Sequence, residues 1–389
     1  MENFTYYTPT KVVFGKGTEN QTGALVKEQH CKKVLIHYGS GSVVRSGLLD
    51  RIKTSLDEAA VSYVELGGVV PNPRLSLVYE GIELCKKENV DFILAVGGGS
   101  VIDASKHIAC SACYEGEPWD LVLDRSKVKK ALPIAVVLTI CATGSEMNSG
   151  AVISNEKTCE KLEINTPLLY PRLSICDPTY LYTLPDSQTA AGTADIISHI
   201  FEQYFQKNDE AFVTDRISEA LLKTCFTYGP VAMKDPCNYE ARSNLMWTST
   251  LALNHLITVG KGGAWSVHPI EHELSAFYDI THGVGLAILT PAWMKYVLCD
   301  ETVDRFAMYG RNVWNIEGSD PYEAAHKAIE KTKNFFVSLG LPTKLSEVGI
   351  TEEKFKEMAE EAVRTSGIKT RAYYPLDVED VVKIFEMCR

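Results

Sequence analysis

Short apolar runs that stop at glycine or threonine set the strongest limit on how this chain folds. Lys33-Val-Leu-Ile-His-Tyr38 is followed by Gly39-Ser-Gly-Ser42, and Ser62-Tyr-Val-Glu-Leu66 by Gly67-Gly68. Phe92-Ile-Leu-Ala-Val96 runs into Gly97-Gly-Gly-Ser100, and Pro133-Ile-Ala-Val-Val-Leu138 into Thr139. Between them lie segments with apolar residues at helical spacing, such as Leu77, Ile82, Leu84 and Cys85. Continuous apolar strands separated by helices predict a mostly parallel sheet buried on both faces. The first half is therefore expected to be α/β.

From about Leu184 the rhythm changes. Ser187–Tyr204, Ala211–Tyr228, Tyr239–Leu256 and the stretch from Tyr322 to Arg389 show helical periodicity with few strand signals. The expectation is an α/β domain over 1–183 and an all-helical domain over 184–389. The chain's 389 residues are ample for two such cores.

Composition narrows the partners. Lys and Arg total 39 against 50 Asp and Glu, a net charge of -11, which disfavours nucleic acid. No apolar stretch approaches the ~18–20 residues of a membrane span. The polar N-terminus with Glu2 is unlike a signal peptide, so the expected location is the cytoplasm. In that compartment the 11 cysteines are expected to pack as small hydrophobes. The lone Cys110-Ser-Ala-Cys113 is read the same way.

Three loops carry ligand-binding character. Gly97-Gly98-Gly99-Ser100 stands where a strand hands over to a helix, so bare backbone N–H groups and the helix dipole can hold a phosphate. A tight turn would also want glycine here. Asp103 follows in what reads as the first helical turn, where it can cap free N–H groups. This run is not the G-x-G-x-x-G fingerprint. Thr139 and Thr143-Gly144-Ser145-Glu146 form a second, hydroxyl-rich loop after a strand end, where doubly wound sheets gather ligands. Gly39-Ser40-Gly41-Ser42 follows the earlier strand, near where a nucleotide ribose would lie. NAD-selective sites usually place a carboxylate there. Its absence, with Arg45 close in sequence, favours NADP(H) over NAD(H).

Histidines supply the other constellation. Asp195-Ile-Ile-Ser-His199 sets a carboxylate and an imidazole on one helix face. His268-Pro-Ile-Glu-His272 repeats the spacing, and His282-Gly283 follows ten residues later. Imidazoles with one carboxylate suit a divalent ion such as iron or zinc. Spacing alone leaves open which four residues bind, or whether Asp195 and His199 merely share a helix hydrogen bond.

Taken together, these motifs resemble the iron-containing, or group III, alcohol dehydrogenases, most closely their butanol dehydrogenase and aldehyde reductase branch. The resemblance runs from Pro9-Thr-Lys-Val-Val-Phe-Gly15 through Pro71-Asn-Pro73, Gly97-Gly-Gly-Ser-Val-Ile-Asp103, Thr143-Gly-Ser-Glu146, Asp177-Pro178 and Asp195-x-x-x-His199. Its most specific stretch is His268-Pro-Ile-Glu-His272 with His282-Gly283. It implies an α/β domain, a helical domain and a cleft between them. The implied metal ligands are Asp195, His199, His268 and His282, holding Fe2+ or Zn2+. His272 would lie near the substrate as a proton relay. Implied cofactor contacts are Gly39, Ser40, Gly41, Asn72, Gly97, Gly98, Gly99, Ser100, Asp103, Thr139, Thr143, Ser145, Lys161, Tyr180 and Leu184. The expected reaction is reversible hydride transfer between NADP(H) and small primary alcohols or aldehydes such as butanol and butanal, in a homodimer. The alternatives are an NAD-dependent glycerol or diol dehydrogenase, a synthase resembling dehydroquinate synthase, and a non-catalytic nucleotide-binding protein.

Overall fold

The computed structural model describes every residue except Asp209. The chain forms two compact units, Tyr7–Thr183 and Leu184–Arg389, the latter joined by Met1–Tyr6. The α/β half expected from the sequence, 1–183, includes those first six residues. They pack instead with the helical unit, because the Met1 ammonium bonds Glu210 at 2.7 Å and the Glu2 N–H donates to the Gly260 carbonyl at 3.0 Å.

The α/β unit is built on six parallel strands. They are β1 (Lys11–Phe14), β2 (Lys33–Gly39), β3 (Ser62–Val69), β4 (Phe92–Gly97), β5 (Ile134–Leu138) and β8 (Leu173–Cys176), in the order β1-β8-β5-β4-β2-β3. β4 and β5 are buried along their whole length, as their unbroken apolar sequences require. Helices of ten residues or more are numbered in chain order. α1 (Leu48–Glu58) follows β2, α2 (Leu75–Glu88) follows β3, and α3 (Gly99–Ser111) follows β4. One face of the sheet, with Val34, Ile36, Leu94, Val96, Val137 and Ile175, packs on Leu48, Leu49, Ile52 and Leu56 of α1. Fully burying each such side chain contributes about 1.5–3 kcal/mol. β3 does not stop at Gly67-Gly68 as expected but runs on to Val69, with an irregular register opposite His37 and Gly39. A small antiparallel hairpin, β6 (Gly150–Asn155) with β7 (Glu160–Asn165), is inserted before β8.

The helical unit contains α4 (Asp186–Tyr204), α5 (Phe212–Lys234), α6 (Tyr239–Ala252), α7 (Val267–Tyr278) and α8 (His282–Tyr296). It continues with α9 (Val303–Trp314), α10 (Pro321–Ser338), α11 (Phe355–Thr365) and α12 (Val378–Met387). α4 is buried from Thr189 to Tyr204 and packs on α5 and α8. Beside it, Arg305 forms a bidentate pair with Asp215, both bonds 2.6 Å, and donates to the Tyr204 carbonyl. The buried Lys261 ammonium shares the same carboxylate, so losing Asp215 would strand two buried cations. No disulfide joins the described cysteines. Cys110 is buried, its thiol donating to the His107 carbonyl at 3.3 Å, which fits core packing. No helix among the described residues is long and apolar enough to cross a membrane.

Candidate functional site

Two constellations stand out, one in each unit. In the helical unit Asp195 and His199 sit one turn apart on the buried α4. His268 lies in the first turn of α7, and His282 opens α8. The α8 start is brought against α4 by Gly283, where a β-carbon would fall 2.1 Å from the Ala191 carbonyl oxygen. Only glycine permits that approach. Oδ1 of Asp195 then lies 3.5 Å from His199 Nδ1, 3.9 Å from His268 Nε2 and 3.8 Å from His282 Nε2. One ligand atom from each of Asp195, His268 and His282 falls within 4.8 Å of the others. The His199 ring stacks on His268 at 4.7 Å between centroids. Donors about 2.0–2.2 Å from one ion are separated from each other by roughly 3–4 Å, so the spacing fits a single divalent cation.

Two carboxylates that sequence reading passed over fix the imidazoles. Glu202 Oε1 accepts from His268 Nδ1 at 3.1 Å, and the Glu202 carboxylate also accepts the backbone N–H groups of Ser266, Val267 and His268 at 2.7–2.8 Å. It thereby caps α7 from a neighbouring helix. Glu271 Oε2 accepts from His282 Nδ1. In both rings the proton is held at Nδ1 and Nε2 is turned towards Asp195. His268 Nε2 is buried with no hydrogen-bond partner among the described residues, which is the state of a nitrogen shaped for a cation. His272 is half-buried one turn beyond His268, its ring 5.5 Å from that of His282. Trp265 lies against His268 at 4.7 Å.

In the α/β unit the loops after β2, β4 and β5 emerge at the carboxyl edge of three adjacent strands. β2 and β4 flank the point where strand order reverses, the usual seat of a nucleotide in such sheets. The loops interlock. A β-carbon on Gly98 would come 3.1 Å from Ile140, and one on Gly99 would strike the Thr143 side chain at 2.5 Å. The Thr139 N–H donates to the Gly97 carbonyl at 3.0 Å. α3 starts at Gly99 with Ser100 in its first turn, and no side chain caps its amino end. Asp103, expected to cap the helix, does not do so. Asp103 stands in the second turn, where Oδ1 accepts from Ser145 Oγ at 2.6 Å and Oδ2 from the Val152 N–H at 2.9 Å. Burial raises its carboxyl pKa, against the lowering influence of Lys106, Ser145 and Lys161. One turn on, buried Lys106 donates to Ser145 Oγ, to the Asn148 carbonyl and side chain, and to the Gly150 carbonyl, all at 2.8–2.9 Å. Lys106 was not picked out in the sequence, although its place three residues after Asp103 puts both on one helix face.

The remaining predicted contacts are spread more widely. Gly41 has a φ of +133°, and Arg45 folds back so that its Nη1 lies 3.0 Å from where a Gly41 β-carbon would be. Ser40 is exposed beside it. Asn72, at φ +53°, follows β3 at the same edge. Lys161 is buried on β7. Tyr180 follows β8 and joins Glu19 and Arg51; burial first, then Glu19, pushes its phenol pKa up. Leu184 opens the helical unit.

The chain matches the iron-containing alcohol dehydrogenase family over residues 9–178 and the C-terminal domain of the same family over residues 189–388. It is 53% identical over 387 residues to NADH-dependent butanol dehydrogenase A of Clostridium acetobutylicum, covering 99% of each chain. It is 42% identical over 357 residues to the NADPH-dependent aldehyde reductase YqhD of Escherichia coli, covering 90% of each. Its fold superposes on the crystal structure of NADH-dependent butanol dehydrogenase A from Thermotoga maritima with a TM-score of 0.95 at 42% identity, covering 100% of this chain and 99% of that one. With family models matching most of both units, the chain belongs to the iron-containing alcohol dehydrogenases.

Proposed function

We propose that this chain reduces small aldehydes such as butanal, and oxidises the matching primary alcohols, using NADPH in preference to NADH and one divalent metal, Fe2+ or Zn2+. That it is an alcohol dehydrogenase follows from its family. The observation carrying the metal-dependent reaction is the convergence of Asp195, His268 and His282 on one buried point, with His199 beside them. A bound ion supplies Lewis acidity to the carbonyl oxygen, and the reduced nicotinamide supplies the hydride. Asp195, His199, His268 and His282 are the residues that hold the ion, and His272 passes the proton between substrate and solvent. Gly97–Ser100 and the uncapped start of α3 hold the pyrophosphate. Ser145, held by Asp103 and Lys106, lines the same edge together with Thr139 and Thr143.

Arg45 over Gly41 carries the NADP preference, since a guanidinium recognises a phosphate through charge-assisted bonds. Relatives named for NADH and for NADPH both match the chain closely, so the cofactor reading rests on this loop. A cytoplasmic homodimer completes the proposal. The test is oxidation of NADPH and, separately, NADH by butanal after reconstitution with ferrous iron or zinc. Faster turnover with NADPH, abolished by a chelator and restored by metal, is the expected result. Preference for NADH would overturn the Arg45 argument alone; silence with both carriers and both metals would overturn the reaction.

A further inference from the structure

We infer that Glu271 is a positioning residue of the metal site, acting through His282 rather than on the ion itself. The inference rests on the metal-site reading above. A neutral imidazole ligates through Nε2 when its proton sits on Nδ1, so an acceptor at Nδ1 favours the tautomer and ring orientation that can bind an ion. Glu271 provides that acceptor. It is fully buried, its Oε2 accepts from His282 Nδ1, and its Oε1 accepts from Ser275 Oγ at 2.6 Å one turn along α7. Its place between Ser275 and His282 fixes the carboxylate in direction as well as position.

A second feature of the fold protects the same arrangement. Gly285, in the first turn of α8, faces the Glu271 side chain so closely that a β-carbon would lie 2.7 Å from its Cγ and 2.8 Å from Oε1. Space is thus kept for the carboxylate by the helix whose first residue it orients. Glu271 also has a ligand-type oxygen within 4.8 Å of His272 and His282 donors, so direct coordination is the competing role.

The two roles separate experimentally. Metal affinity is measured by competition with a chromogenic chelator for zinc, and the Co2+ absorption spectrum is recorded, for wild type, Glu271→Ala, Glu271→Gln, Gly285→Ala and His268→Ala. Glu271→Ala is expected to weaken zinc binding about 10–100-fold, the usual cost of losing an outer carboxylate. Glu271→Gln, whose amide oxygen can still accept from Nδ1, should lose less and keep a Co2+ spectrum like that of wild type. Gly285→Ala should weaken binding without altering any ligand, and it carries the test with Glu271→Gln if Glu271→Ala does not fold. Zinc affinity unchanged in Glu271→Ala would overturn the inference. Metal lost as completely in Glu271→Gln as in His268→Ala would also overturn it, making Glu271 a ligand. A wild type that binds no metal would instead overturn the underlying metal-site reading.

Discussion

Gly283 approaches Ala191 so closely that a β-carbon on it would sit 2.1 Å from the Ala191 carbonyl oxygen. This contact sets the start of α8 beside α4, and with it His282 beside Asp195. Gly283→Ala must push the helices apart at the point where two proposed ligands come from different elements. The expected cost is about 1–3 kcal/mol of stability, as for other overpacked sites. Metal occupancy should fall with it. Metal analysis after dialysis, alongside urea unfolding, checks both; full occupancy in this variant would show that the contact does not set the ligand spacing.

Cofactor choice is predicted to turn on two residues of one loop. Gly39 has room for a side chain, since its β-carbon would meet only the Val69 carbonyl at 3.5 Å and Val101 at 3.9 Å. Gly39→Asp should therefore fold normally and favour NADH, by repelling a 2′-phosphate and accepting from a 2′-hydroxyl. Arg45 is exposed, so its bond to a phosphate is at the weaker end for charged partners. Arg45→Ala should raise KM for NADPH about 10-fold and leave KM for NADH unchanged. Equal effects on both carriers would mean that Arg45 does not read the 2′ position.

Much of this was legible in the sequence because the signals were local. The runs at Phe92–Val96 and Ile134–Leu138 cannot be solvated strands, and both are buried along their length. Asp195 and His199 advertise their shared face by spacing alone. The β6–β7 hairpin was missed because Lys161-Leu-Glu-Ile alternates over too few residues to stand out. Glu202 and Glu271 were missed for a different reason. A glutamate in a helix is ordinarily a solvated residue, and Glu202 takes its meaning from a helix start 64–66 residues away. Asp103 was misread because helix α3 begins at Gly99, two residues earlier than a first-turn role for Asp103 requires.

Lys106 organises the loop that presents Ser145. Its ammonium meets four oxygens on Ser145, Asn148 and Gly150, and burial lowers its pKa to about 8. Replacing it with Met leaves the Asn148 and Gly150 carbonyls without this donor, at about 1–3 kcal/mol for each group left buried and unsatisfied. Lys106→Met should lower stability and raise KM for NADPH, while zinc affinity, which depends on residues of the other unit, stays as in wild type. A KM unchanged in the folded variant would show that Ser145 needs no such support.

Acid should destabilise the α/β unit through two histidines outside the proposed site. His37 on β2 and His107 on α3 are buried, and desolvation lowers each pKa to about 4, against smaller raising effects from backbone hydrogen bonds. The unfolded chain binds these two protons near pH 6.5. The folded chain refuses them until about pH 4. Stability from this source is thus whole above about pH 6.5 and drains away as pH falls towards 4, by roughly 3 kcal/mol for each ring. Asp103 and Glu163, whose carboxyl pKa values burial raises, act in the opposite sense. Variants are therefore needed to isolate the imidazoles. Urea unfolding of wild type between pH 7.5 and 5 should show a falling free energy, with a slope near pH 5 approaching about 2.7 kcal/mol per pH unit from the two rings. His37→Leu or His107→Leu should each remove about half of it. A slope that survives both replacements would place the acid sensitivity elsewhere in the fold.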